Sequence, residues 1–352
     1  MVIFVTILII FSGCIGSQSI TDSEPETAIE SHQNGNLLVI TVDVEAGSKC
    51  RKAPTDFGGE VTRCIYGIFG EERAGIGEMM NIADEKGVTL SFFVDVLEIY
   101  SYSSEIIEVM KYINSRGHDV QLHMHPSMIN STSWKEIQES EDWNKSGAIK
   151  NTYMNCWNQE TADFWFSKSM DIFDEAGLKR PIAFRGGNYR YCDTIIQAMG
   201  KFNMTQSYNY NMYSSTQTFS GGYLHNFEWD NGVIEFPISY VKDDDGELRI
   251  SSRIDESTWS TPMNETFGRF YENESSTRVM TMILHSFSFL SLNETEQYYL
   301  EDYSKLNSFR NFITNLPDEY QIVSAFELQD EIELGTISGE FILPLKLISN
   351  EC

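Results

Sequence analysis

Basic residues are scarce in this chain, which has 25 lysines and arginines against 52 aspartates and glutamates and a net charge of −27. Such a surface repels phosphate backbones and anionic headgroups, and this argues against nucleic acid as a partner. The six cysteines include no C-x-x-C pair, so a thiolate zinc site is not indicated. The apolar run at the start, MVIFVTILII, is too short for a standard membrane-spanning helix.

That apolar run indicates export instead. It continues into Phe11-Ser12-Gly13-Cys14, so residues 1–16 have the pattern of a signal or lipoprotein segment with small residues before a modifiable cysteine. We expect the protein at the cell surface, anchored by a lipid on Cys14 or by the segment itself, or secreted. The protein would then contact the membrane only through this anchor. Residues 17–36 are polar and acidic without apolar periodicity, and they predict a flexible tether.

Two further patterns agree with an exported glycoprotein. Cys50 and Cys64 would close a short loop and are the preferred disulfide pair, although pairing cannot be derived from spacing. Acceptor sequons for N-glycosylation stand at Asn130, Asn144, Asn203, Asn264, Asn273 and Asn293.

Strand-like and helix-like segments alternate from residue 37 onward. Apolar strand cores separated by amphipathic helices predict an α/β domain in which a parallel sheet is covered by helices, and seven or eight such units favour a closed barrel. We assign this barrel to residues 37–335 and a C-terminal extension to 336–352. The predicted strands include 37–45, 118–125, 278–285 and a final one from Gln321; the predicted helices include 104–115 and 159–176; residues 126–155 are predicted as a long loop.

The segment HDVQLHMHP places two histidines on one face of a strand. Side chains alternate with a period of two, so His123 and His125 project together while Leu122 and Met124 face the other way. This is a metal-ligand geometry, but an isolated H-x-H is also compatible with two structural histidines beside a proline.

Other polar residues stand at the predicted carboxyl ends of strands. Asp43 and Glu45 end the first strand on a shared face, Arg185 follows in PIAFRGG, and His285 ends a late strand. In a β/α barrel this end carries the active site, so residues far apart in sequence converge there. A buried pair of carboxylates needs a cation or an arginine to compensate it.

Four motifs containing these residues resemble, in the right order, those of the polysaccharide deacetylase (NodB-homology) family. They are TVDVE at 41–45, GHDVQLHMHP at 117–126, FRGGNYR at 184–190 and ILHSFSF at 283–289. The resemblance implies a distorted (β/α)7-type barrel and metal-dependent removal of acetyl groups from carbohydrates. It also implies roles for four residues: Asp43 as general base, His123 as metal ligand, Arg185 as the arginine that holds the base, and His285 as general acid.

Two positions depart from the family pattern. Its second aspartate aligns with Val44, so Glu45, one residue later on the correct face, must supply that ligand. Its second histidine normally follows the first by four residues, where this chain has Ser127, and His125 is the alternative.

Glu45, His123 and His125 would form a two-histidine, one-carboxylate site with an open position, as catalytic zinc requires. The expected cofactor is therefore a divalent metal, Zn²⁺ first, with Co²⁺ or Ni²⁺ as alternatives. We expect an acetylated polysaccharide or glycoconjugate as the partner. The candidate substrate-binding residues are Tyr189, Asn188 and Trp229.

These observations predict an exported hydrolase that removes acetyl groups, N-acetyl in the first instance, from a cell-surface or extracellular polysaccharide. Two alternatives remain open. The first is a non-catalytic glycan-binding protein on the same barrel, which the departures at Val44 and Ser127 favour. The second is hydrolysis of another non-peptide C–N bond.

Overall fold

The computed structural model describes most of the predicted barrel. The described residues are 36–47, 57–211, 214, 219, 225–242, 248–251, 279–292, 298–299, 304–318 and 320–348. The predicted signal segment, most of the tether, Cys14 and Cys50 lie outside them. Cys64 is disulfide-bonded. No helix in the described part of the chain is long and apolar enough to cross a membrane.

Sixteen strands are present in the described residues. They are β1 (Asn36–Val44), β2 (Ile68–Phe69), β3 (Glu72–Arg73), β4 (Ser91–Asp95), β5 (Asp119–Met124), β6 (Ala183–Gly186), β7 (Gln206–Ser207), β8 (Phe227–Trp229), β9 (Ile234–Glu235), β10 (Tyr240–Lys242), β11 (Leu248–Ser251), β12 (Val279–His285), β13 (Ser291–Leu292), β14 (Tyr298–Tyr299), β15 (Tyr320–Ile322) and β16 (Ile342–Leu343).

Nine α-helices accompany these strands in the described residues. They are α1 (Ile76–Asp84), α2 (Ile99–Tyr102), α3 (Ser104–Ser115), α4 (Ser131–Glu139), α5 (Glu141–Ser146), α6 (Gln159–Ala176), α7 (Asp193–Lys201), α8 (Ser304–Thr314) and α9 (Ala325–Glu333).

Ten of the described strands form one sheet in the order β12-β1-β4-β5-β6-β7-β9-β8-β16, with β15 beside the first residues of β1. All its pairings are parallel except β8 with β9, which form a hairpin around the turn Asp230-Asn231-Gly232. The predicted α/β class with a distorted, mostly parallel sheet covered by helices is thus confirmed. The described strands curl into a half-barrel rather than the closed barrel that the number of units favours.

Strand β1 shows why the sheet is apolar on both faces. Leu38, Ile40, Val42 and Val44 pack into the large outer core under the helices. Leu37 and Val39, at the alternate positions, pack into a second, inner core. Period-two alternation therefore separates the two layers, and it turns Thr41 and Asp43 toward the barrel interior.

The end of the barrel opposite the carboxyl ends of the strands is closed by α9. The sequence predicts a strand through QIVSAFEL, but β15 ends at Ile322 and Ser324 begins the helix instead. Ser324 and Glu327 form a reciprocal capping box, the local signal that favours the helix. Asp119 inside the barrel accepts a hydrogen bond from the backbone N–H of Phe326 and so joins α9 to β5.

The predicted long loop from 126 to 155 is wrong in part, because it contains α4 and α5. The side chains of Asn130 and Ser140 cap these helices by accepting from Ser133 N and Trp143 N. Trp134 and Trp143 are buried against Trp165 of α6. The tryptophans of this segment thus pack in the outer core.

Candidate active site

The structure brings together the six residues expected to carry the chemistry. In the sheet register Asp43 lies beside His285, and His123 lies beside Arg185. Glu45 and His125 follow the ends of β1 and β5, and all six side chains are buried: Asp43, Glu45, His123, His125, Arg185 and His285. Because the strands are parallel, their carboxyl ends place these side chains together at one end of the barrel, as the sequence predicts.

Glu45, His123 and His125 form a compact cluster of candidate metal ligands. Oε1 of Glu45 lies 3.0 Å from Nε2 of His123 and 3.2 Å from Nε2 of His125, and the three ligand atoms all lie within 4.8 Å of one another. Ligands about 2.0–2.1 Å from a tetrahedral zinc ion lie about 3.3 Å apart. The spacing and the donor set therefore both fit a divalent metal.

The orientation of His123 agrees with a ligand role. Its Nδ1 lies 2.7 Å from the carbonyl oxygen of Arg185, so Nδ1–H donates to that carbonyl and Nε2 faces Glu45. Metal-binding histidines commonly donate their second ring N–H to such an acceptor, which sets the tautomer.

The electrostatics around His123 favour a positive charge at this point. Burial lowers the pKa of His123, but the charges of Asp43 and Glu45 and the hydrogen bond to Glu45 outweigh burial and raise the pKa to about 9. Burial likewise raises the pKa of Glu45, but His125 and His123 outweigh it and hold that pKa well below its usual value. An ionised Glu45 beside two imidazoles suits a cation between them.

His125 is held by its backbone and by its neighbours. Its backbone N–H donates to Oδ1 of Asp95 over 3.1 Å. Its ring lies against Gly187, where an added Cβ would stand 2.3 Å from Nδ1. The second glycine of FRGG, Gly187, therefore has a physical reason, because any side chain there would displace the imidazole.

Asp43 is paired with Arg185 in the barrel interior. Nη1 of Arg185 donates to Oδ1 of Asp43 over 2.7 Å, and Nη2 donates to Oγ1 of Thr41 over 2.8 Å. Nε of Arg185 donates to the carbonyl of Tyr208, and the guanidinium lies over the ring of Phe93. Arg185 is thus held by contacts on several sides, and it orients the carboxylate that the family resemblance implies as the general base.

His285 completes the group on the other side of Asp43. Its Nε2 lies 4.0 Å from Oδ2 of Asp43, and Asp43, Glu45 and His285 also form a close cluster of ligand-type atoms. The backbone N–H of His285 donates to Oγ of Ser288, and Ser286 N–H donates to the carbonyl of Asp43. These bonds fasten the end of β12 to the end of β1.

Two buried acids at this site were not predicted. Asp95 ends β4 beside His123, and its Oδ1 accepts from His125 N and Leu97 N. Glu98 accepts hydrogen bonds from Ala46 N and Gly47 N, directly after Glu45. Burial raises the pKa of each of these acids. The rule that selected Asp43 and His285, a polar residue at the end of an apolar strand, would also have selected Asp95.

The three predicted substrate-binding residues lie in different environments. Asn188 is exposed, Tyr189 is 7% exposed, and both have left-handed backbone angles, with φ of 54° and 55°. Such strain in non-glycine residues is typical of functional loops. Trp229 is 0% exposed and packs against Phe227 and Tyr191. The ring of Trp229 therefore belongs to the core, so this predicted substrate-binding residue presents no exposed face to a sugar.

No protein-family model and no curated protein matches the sequence. Solved structures do match the fold. A polysaccharide deacetylase described as putative, from Mycobacterium smegmatis, is similar over 88% of this chain and 94% of its own, with a TM-score of 0.53 and 15% identity. A 4-alpha-glucanotransferase from Thermococcus litoralis is similar over 88% of this chain and 42% of its own, with a TM-score of 0.53 and 9% identity. The chain therefore has the fold of solved polysaccharide deacetylases, as its four motifs predict.

Proposed function

We propose that the protein is a divalent-metal-dependent carbohydrate deacetylase, a divergent member of the polysaccharide deacetylase family. One observation carries the proposal: the Glu45–His123–His125 cluster lies beside the Asp43–Arg185 pair and His285 at one end of the barrel. A metal site, an oriented carboxylate and a separate histidine are the groups that amide or ester hydrolysis needs.

Glu45, His123 and His125 would hold the metal, which when bound would supply a water of lowered pKa and polarise the acetyl carbonyl. Asp43 then accepts the proton of the attacking water. Arg185 holds and aims Asp43, because its Nη1 donates a hydrogen bond to Oδ1 of that carboxylate.

His285 would serve as the general acid. Expulsion of an amine requires its protonation, and an imidazole titrates in the right range for this task. His285 lies within 4.0 Å of Asp43, so the two groups can act on the same reacting centre. Base and acid are thus separate residues contributed by neighbouring strands.

The two departures from the family pattern do not leave the ligand set incomplete. Val44 points into the outer core, while Glu45 reaches the position between the imidazoles. His125 reaches the same carboxylate oxygen from two residues after His123. These contacts favour the catalytic proposal over a non-catalytic glycan-binding protein.

Glycosyl transfer, the reaction for which the 4-alpha-glucanotransferase of similar fold is named, suits this site less well. Glycosidases of the common two-carboxylate type need one carboxyl group kept protonated by a raised pKa. Here the two acids with raised pKa values, Asp95 and Glu98, accept hydrogen bonds from backbone N–H groups. The other two carboxylates do not fit the role either, because Glu45 has a lowered pKa and Asp43 is bound to an arginine.

The test is metal content and acetate release from the purified protein. We expect one zinc, cobalt or nickel ion per chain, lost in His123→Ala, and acetate released from acetylated sugars. Asp43→Asn should retain the metal and lose about 10²–10⁴-fold in rate. A wild-type protein without stoichiometric metal contradicts the catalytic proposal, whereas a metallated protein that releases no acetate points to another C–N bond.

We also propose that the protein is exported and held at the cell surface through its N-terminal segment. The lipoprotein-like sequence around Cys14 and the sequons support this, and so does the disulfide at Cys64, because disulfides persist in oxidising compartments. Metabolic labelling with a radioactive fatty acid tests the anchor. Label should enter the wild-type protein and be absent from Cys14→Ser, and equal labelling of both excludes lipidation of this cysteine.

A further inference from the structure

We propose that Arg190 and Tyr153 form a subsite for a carboxylate on the sugar chain, next to the residue that carries the acetyl group. This inference rests on the proposed function and names the substrate class: an acidic glycan in which acetylated residues stand beside carboxylate-bearing ones. Four observations support it, namely the position of the pair, its geometry, its exposure and the charge around it.

The pair lies at the active-site end of the barrel. Arg190 follows β6 in the loop that leads to α7, and Tyr153 stands in the connection between β5 and α6. Both segments therefore leave the carboxyl ends of parallel strands. The carbonyl of Arg190 packs against Gly186, and Gly187 packs against the ring of His125. Three residues span at most about 11 Å, so Arg190 lies within reach of a short oligosaccharide bound at the metal ligands.

The geometry leaves the hydrogen-bond donors of Arg190 available. Its guanidinium carbon lies 4.4 Å from the centre of the Tyr153 ring, in a cation–π contact. Stacking uses the face of the guanidinium, whereas its N–H donors lie in the plane of the group. A planar fork of donors is the arrangement that binds a carboxylate with two hydrogen bonds.

Tyr153 is exposed although its backbone is anchored. Its side chain is 54% exposed, among the most exposed large hydrophobic residues of the described chain. The loop beneath it is fastened by Trp157 Nε1, which donates to the carbonyl of Asn151, and by the Cys192 thiol, which lies 3.3 Å from the carbonyl of Met154. An aromatic ring held outward on an ordered loop fits a sugar-contacting role.

Charge makes Arg190 unusual in this protein. The chain has 52 acidic residues for 25 basic ones. Among the described arginines, Arg116, Arg180, Arg185 and Arg310 pair with carboxylates, and Arg63 and Arg73 donate to backbone carbonyls. Within the described residues Arg190 makes no ion pair with an acid. An external carboxylate is attracted most strongly to a guanidinium that has no carboxylate partner. The rest of this acidic surface repels a carboxylate.

The test compares two acetylated oligosaccharides of equal length. One is a neutral chitin oligosaccharide, and the other alternates N-acetylglucosamine with glucuronate. We expect wild-type kcat/KM to be about tenfold or more higher on the acidic substrate, through KM, and this preference to weaken as salt is raised. Arg190→Gln should remove the preference. A third substrate, with the carboxylate on a lactyl ether of the sugar, distinguishes that source of the charge from a uronic acid.

The control is a second cation–π pair at the other end of the barrel. Nζ of Lys179 lies 3.7 Å from the centre of the Phe326 ring, in the connection that precedes β6. Lys179→Gln should keep the wild-type ratio between the substrates. A wild-type enzyme without preference for either acidic substrate, or an Arg190→Gln variant that keeps the preference, overturns the proposal.

Failure of the subsite can be distinguished from failure of the proposed function. Binding of the acidic oligosaccharides to the Asp43→Asn variant, measured by calorimetry, needs no turnover. Adding Arg190→Gln to that variant should weaken binding about tenfold and leave the affinity for the chitin oligosaccharide far less affected. If acetate is never released but this difference is found, the subsite stands and deacetylation fails. If adding Arg190→Gln does not weaken binding of the acidic oligosaccharides, the subsite fails.

Discussion

Gly187 lies directly against the imidazole of His125. A Cβ at this glycine would stand 2.3 Å from Nδ1 and 2.4 Å from Cε1, closer than real side chains approach. The loop after β6 thereby limits the position of a metal-ligand candidate on β5. Gly187 and His125, which are 62 residues apart in sequence, can pack together only because glycine has no Cβ.

Gly187→Ala should therefore weaken metal binding about 10–100-fold, the effect typical of losing a ligand-orienting contact. The added methyl group displaces the His125 ring from Glu45. Titration with zinc or cobalt measures the loss, and the folded state is checked by circular dichroism. Gly59→Ala is the matched control, since a Cβ there meets nothing within 4 Å. Equal affinities of the two variants would show that the ring tolerates the methyl group.

Arg185→Met should lower the free energy of unfolding by about 3–5 kcal/mol in metal-free protein, because it leaves Asp43 charged and buried without its partner. Asp43→Asn in the same chain should restore part of the loss by removing that charge. Urea unfolding measures both changes. Arg180→Met, at the exposed pair with Asp174, should have no measurable effect. A similar small effect at Arg185 would mean that the buried pair does not contribute to stability.

Asp95→Ala should reduce metal affinity at least tenfold, although Asp95 is outside the cluster of three ligands. The change removes the acceptor of His125 N–H and leaves that group buried without a partner. Asp95→Asn keeps an oxygen at this position, so its metal affinity should fall much less. Metal titration of the two variants separates them. If the two variants lose metal affinity equally, the charge of Asp95 rather than its hydrogen bond stabilises the metal site.

Ser324→Ala should cost about 1 kcal/mol of stability and leave metal affinity unchanged. Ser324 caps α9 at the end of the barrel away from the metal ligands, and its loss leaves a backbone N–H of the first turn without its acceptor. Thermal or urea unfolding and metal titration of the same variant measure the two quantities. A change in metal affinity would reveal coupling along the barrel interior.

The local sequence pattern predicts the residues of the site more accurately than it predicts the types and bounds of the helices and strands. Period-two alternation in TVDVE and HDVQLHMH correctly places Asp43, Glu45, His123 and His125 on inner faces. The helix at Gln159–Ala176 is also predicted with its observed bounds. By contrast, Ser324 and Asn130 start helices where the sequence suggests a strand and a loop, because a cap depends on a few side-chain hydrogen bonds rather than on apolar spacing.

The sequence by itself determined which residues stand at the ends of buried strands, and with them the donor types of the candidate metal site, because side-chain direction along a strand is a local property. Only the tertiary structure decided which of these groups touch. It added Asp95, Glu98 and Gly187 to the site, and it buried Trp229 in the core. The physical reason is that such contacts depend on how strands and loops distant in sequence pack against one another, and packing at sub-ångström precision is not encoded in periodicity.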